Sequence, residues 1–132
     1  MAGRMRREGE PPPVYGPGSS KFTVEVHHGG LFCGDGANRC YIDEKLSWFD
    51  NLDPEIFCYL TIEEMMVLLD YQLDLKAYWL LPGKGLADGL RIVSSDEETV
   101  IMKQLVDKVK NFVLYFDHHN YVGSKAWEDV HH

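Results

Sequence analysis

The stretch FTVEVHHGGLFCGDGANRCYID, Phe22 to Asp43, decides how the chain begins to fold. Phe22, Val24 and Val26 alternate with Thr23, Glu25 and His27, the period of two that marks a half-buried strand. Gly29, Gly30, Asp35 and Gly36 then crowd into a few positions, where the chain must turn. Arg39 to Asp43 reads as a returning strand, and Leu31–Cys33 extends one arm of the hairpin. The glycines supply the positive φ that a turn needs.

Outward from this hairpin, KLSWFDNLDPEIFCYL (residues 45–60) is aromatic, irregular and interrupted by Pro54, and reads as a packed connecting loop. Thr61 followed by Glu64 is a capping-box pattern, with Leu60 placed to staple onto Met65. Ile62, Met65, Met66 and Leu69 recur at helical spacing, so a helix is expected over 61–71. KAYWLL (residues 76–81) is a buried strand closed by Pro82–Gly83, and LRIV (residues 90–93) is a brief one. Ser95 and Glu98 form a second capping pattern, opening a helix whose buried stripe is Val100, Ile101, Leu105 and Val109. NFVLYFDH (residues 111–118) is strongly apolar and reads as a central strand. The order strand, strand, helix, strand, strand, helix, strand predicts an α+β domain. Its simplest small form is the ubiquitin-like β-grasp, a mixed four- to five-stranded sheet with two helices on one face.

Composition divides the chain. Residues 1–20 are rich in Pro and Gly and read as a disordered leader, residues 21–119 as the domain, and residues 120–132 as a flexible tail onto which Trp127 could dock. Residues 1–21 carry Arg4, Arg6, Arg7 and Lys21 against Glu8 and Glu10, a net of +2. Residues 22–120 carry 8 basic and 17 acidic groups, a net of −9. So acidic a body repels a phosphate backbone, and direct nucleic-acid binding is not expected; the basic leader alone could serve a DNA-associated accessory role. No stretch approaches the roughly 20 apolar residues that span a membrane, and the N-terminus has no apolar run of a secretory signal. Three cysteines, Cys33, Cys40 and Cys58, fit reduced thiols in an intracellular protein.

Three kinds of chemistry deserve weighing. His27, His28, Cys33 and Cys40 are soft ligands, but they lack the close pairs of a structural zinc site, and adjacent strand histidines point to opposite faces. The expectation is no metal, with one histidine of each pair facing solvent and one facing neighbours; a metal- or redox-responsive module using His27, Cys33 and Cys40 is the alternative. GGLFCGDG and PGKGLADG match neither phosphate-binding pattern, so no cofactor is expected. No cysteine stands in a nucleophile signature. Asp96, Glu97 and Glu98 sit at a helix start, where acids favour the dipole, which argues against catalysis and leaves recognition open.

Four segments carry a resemblance: FTVEVHHGGLF (22–32), GDGANRCYID (34–43), YWLLPGKGLADGLRIVSSDEETVIM (78–102) and VKNFVLYFDHH (109–119). Together they closely resemble the PB1-like (Phox-and-Bem-like) domain at the N-terminus of plant Mutator-like (MuDR-type) transposases, over about residues 21–119. The resemblance implies a β-grasp protein-interaction module without enzymatic activity, and a nuclear location through the parent transposases. Domains of this kind pair head to tail, an acidic cluster on one partner meeting a basic patch on the other. The acidic cluster maps onto Asp88, Asp96, Glu97 and Glu98, with Leu90 in place of a second Asp and Lys84 in the preceding loop. The basic face of the family rests on a lysine in the first strand, where this chain has Val24, Glu25, Val26 and His27; Arg39 is the one candidate basic contact. The implied partner is a protein with a basic patch, such as another PB1-like domain.

Overall fold

A computed structural model describes residues 1–122. Ten regular elements follow in order: β1 (Arg4–Met5), β2 (Phe22–His28), β3 (Leu31–Cys33), β4 (Cys40–Ile42), β5 (Lys45–Leu52), α1 (Tyr59–Leu68), β6 (Lys76–Leu80), β7 (Leu90–Val93), α2 (Asp96–Lys103) and β8 (Asn111–Asp117). Six strands form one mixed sheet in the order β1-β5-β2-β8-β6-β7, and β3 and β4 form a small second sheet. The central pair, β2 and β8, is parallel; every other pairing is antiparallel. Two hairpins flanking a parallel central pair, with two helices, make the α+β ubiquitin-like arrangement that the element order predicts.

The hairpin partner of β2 is not the segment after Arg39. It is β5, which the sequence reads as a loop. The period of two in β5 is broken where its register with β2 shifts between Phe22 and Val24, and Asn51 takes φ 59°. Such a bulge turns Phe49 and Leu52 onto the same buried face although they are three residues apart. The predicted arms survive as the β3–β4 hairpin, inserted into the β2–β5 connection. Gly29 turns the chain out of β2 with φ +74°. At Gly30 a side chain would run into the Ile42 carbonyl oxygen, so only glycine lets β3 fold back there.

The sheet buries two different faces. Phe22, Val24, Val26, Phe49, Trp79, Phe112, Leu114 and Phe116 point to the helices and meet Ile62, Met65, Met66 and Met102 in the main core. On the opposite face Phe32, Tyr78, Tyr115 and Val122 form a second cluster, joined by Tyr41 and Leu90. The β3–β4 hairpin is thus a cover for the face that the helices leave open. Tyr41 fastens it, donating to the Phe116 carbonyl at 2.8 Å and accepting from the Gly30 amide at 3.1 Å.

The helices depart from expectation in different places, α1 at its start and α2, which opens after Ser95 as expected, in its buried stripe. α1 begins at Tyr59 with Cys58 as its N-cap, and Thr61 acts from the third helical position by accepting the Cys58 amide at 3.2 Å. Leu60 is exposed and forms no staple. The helix stops where Asp70 adopts φ 67° and the Tyr71 amide reaches back to the Met66 carbonyl, closing the last turn. In α2 the buried residues are Thr99 and Met102, continued by Val106, whereas Val100 and Ile101 are exposed. Thr99 tolerates burial because its hydroxyl donates to the Asp96 carbonyl.

The stretch 1–20 contributes to the sheet as well. Arg4 and Met5 pair with Asp50 and Phe49 at the edge of β5. Arg6 makes a two-pronged ion pair with Asp50 at 2.8 and 2.9 Å and lies over the Trp48 ring. Thr23 also donates to Asp50, and Tyr15 bonds to Thr23. The expected docking of Trp127, and the tail from residue 123 onward, lie outside the described residues.

Candidate protein-interaction surface

The acidic residues singled out in the sequence come from two places. Asp88 lies in the turn between β6 and β7, and Asp96, Glu97 and Glu98 form the first turn of α2. The β6–β7 turn is compact: the Gly89 amide donates to the Gly85 carbonyl, and the Leu81 amide to the Gly89 carbonyl. A side chain at Gly89 would collide with Lys84, which fixes glycine beside Asp88. Leu90 is half-buried and opposes Leu80, so its position belongs to the second core cluster and not to the charged surface.

The four acids differ in what they do. The Glu98 side chain is only 12% exposed. It accepts the indole N–H of Trp79 at 2.6 Å and a fork from Arg91 at 2.5 and 3.0 Å. The Arg91 hydrogen bond holds the Glu98 carboxyl below its ordinary range against the opposing effect of burial. Trp79 is fully buried, and a buried indole N–H needs an acceptor. Asp96 accepts the amide of Tyr59 at 2.9 Å, capping the first residue of α1 from the neighbouring helix. Asp88 and Glu97 are exposed and make no side-chain hydrogen bond or ion pair among the described residues. The outward-facing acids are therefore Asp88, Glu97 and the free oxygen of Asp96, while Glu98 holds the fold.

Arg39 sits elsewhere. It follows the 3-10 turn Gly36–Asn38 and leads into β4, on the sheet face away from the helices. It is half-buried, and its Nε is buried without a hydrogen-bond partner among the described residues. No hydrogen bond or ion pair joins it to the four acids among the described residues.

In the pair His118–His119 one histidine faces solvent as expected, since His119 is exposed while His118 accepts the Gly29 amide at 2.8 Å, but in β2 neither does. His27 and His28 point to opposite faces of β2, yet both are buried. His27 stacks on Tyr115, with Nδ1 2.5 Å from Glu44 and Nε2 2.7 Å from Glu25. His28 bonds to Tyr71 and Ser47 at 2.8 and 2.9 Å. Cys33 and Cys40 face each other across the β3–β4 pair. Among the described residues no group of three or more His, Cys, Asp or Glu side chains is arranged to hold a metal ion.

The β-grasp sheet thus presents exposed acids on the β6–β7 turn and at the start of α2. Residues 18–119 match the family model of the PB1-like domain, and the chain belongs to that family. PB1-like domains are in general protein-interaction modules rather than enzymes. No significant match is found among curated proteins or among solved structures. No helix of the described residues is long and apolar enough to cross a membrane.

Proposed function

We propose that this domain is a non-catalytic binding module that pairs with a basic protein surface through Asp88, Asp96 and Glu97. The supporting observation is the division of labour among the acids: Asp88 and Glu97 have no side-chain partner among the described residues and stand on a body with a net charge of −9 over residues 22–120. Such charges set specificity and association rate more than raw affinity. A domain of the same class with an intact lysine patch is the fitting partner. Self-pairing is disfavoured, because β2 presents Glu25 and His27 where a lysine is needed, and Arg39 is half-buried. The quoted segments further support descent from the N-terminal domain of plant MuDR-type transposases, with action in the nucleus. The accessory DNA-binding reading is weakened because Arg4 pairs with Glu10 and Arg6 with Asp50.

The test is titration of the full chain with a lysine-bearing PB1-like domain, at low and high salt, beside D88K/E97K. Binding weakened about tenfold or more by the double reversal and by salt supports the proposal. Binding indifferent to both sinks it.

A further inference from the structure

We infer that Cys33 and Cys40 are a reversible oxidation site, closing to an intramolecular disulfide that locks the β3–β4 cover. The two residues stand directly opposite in antiparallel register, Leu31 against Ile42, Phe32 against Tyr41, Cys33 against Cys40. Opposed residues of such a pair bring their Cα atoms to about 4.5–5.5 Å. A disulfide spans about 4.4–6.8 Å, so the backbone needs no rearrangement to accept one. The two thiols already touch at 2.8 Å, both residues are half-buried and not sealed, and Cys58 lies apart at the start of α1. The turn between them is held by Gly34, whose φ is +77° and whose Cα approaches the Asn38 carbonyl too closely for a side chain.

The co-reactant is a low-molecular-weight disulfide such as oxidised glutathione. One cysteine thiolate attacks a sulfur of that disulfide, forming a protein mixed disulfide and releasing one glutathione thiolate. The second cysteine thiolate then attacks the protein sulfur of the mixed disulfide. The Cys33–Cys40 bond forms, the second glutathione leaves, and the two cysteine protons end on the released thiols. The protein loses two electrons and the glutathione disulfide gains them. The closed ring encloses residues 34–39, fixing Arg39 next to the bond and holding Phe32 and Tyr41 against Tyr115.

The full chain is equilibrated with oxidised glutathione, quenched with acid, unfolded, alkylated and mapped by mass. The expected product has one alkylatable thiol, Cys58, and a Cys33–Cys40 crosslinked peptide; dithiothreitol restores all three thiols. C58S keeps the crosslink and C40S loses it. Amide exchange at Phe32 and Tyr41 slows about tenfold or more in the oxidised protein. Three persistent thiols, stable glutathione adducts in the wild type, or a bond to Cys58 would overturn the site. Unchanged exchange in a crosslinked protein would overturn the locking.

Discussion

Glu98 and Glu97 are neighbours with opposite consequences. Glu98→Ala leaves the Trp79 indole N–H buried without an acceptor and frees Arg91. It is expected to lower stability by about 1–3 kcal/mol in urea melts, whereas Glu97→Ala should stay within about 0.5 kcal/mol. Equal losses at the two positions would contradict the assignment. His27 and His28 form a second contrasting pair. Burial draws the His27 pKa down, but the hydrogen bonds that its imidazolium donates to Glu25 and Glu44 outweigh it, so its pKa is raised above 6.5. Burial, then the charges of Lys45 and the neighbouring histidines, push His28 down to about 4. The stabilisation from protonated His27 is complete below pH 6.5 and fades as pH rises through its raised folded value. The contribution of neutral His28 runs the other way, fading as pH falls from 6.5 toward about 4. Imidazole nitrogen shifts followed by NMR and assigned by residue should show His27 titrating above 6.5 and His28 far below; midpoints near 6.5 for both would refute the arrangement.

At the scale of elements, β1 and the segment after it are more than a tether. Asp50 is 4% exposed, and Arg6 is its only cationic partner among the described residues. Arg6→Ala should cost on the order of 3 kcal/mol in urea melts, because it strands a buried carboxylate; an unchanged melt would mean that the segment does not hold β5. The same pair explains why β5 was not legible. Asp50 in KLSWFDNL looks like a loop residue until an arginine 44 positions away neutralises it, and the bulge at Asn51 hides the strand period. The strands β2, β6, β7 and β8 were legible because each sets local apolar pattern against turn residues. α1 was misplaced by two residues at its start because Asp96, far away in sequence, caps Tyr59. The acidic cluster could be located by resemblance, yet its division into fold-holding and outward-facing acids could not. The available hint was that a buried Trp needs an acceptor, and Glu98 stands in the first turn of the helix that follows β7.

For the whole molecule, net charge of −8 and two exposed acids, taken with the proposed pairing, predict a monomer that meets a basic partner by electrostatic steering. Light scattering of the full chain should give a single monomeric mass across concentration and salt; concentration-dependent oligomers that D88K/E97K abolishes would show that a basic face exists after all. The parallel centre of the sheet has a further consequence, for synthesis. β2 is made early, but one of its two edges is completed only by β8, almost ninety residues later. While the ribosome is still translating the segment between them, β2 and β5 can zip together, yet Val24 and Val26 have no β8 beside them. The nascent chain thus carries an open, apolar strand edge until β8 has emerged, and closure of the grasp is a long-range event.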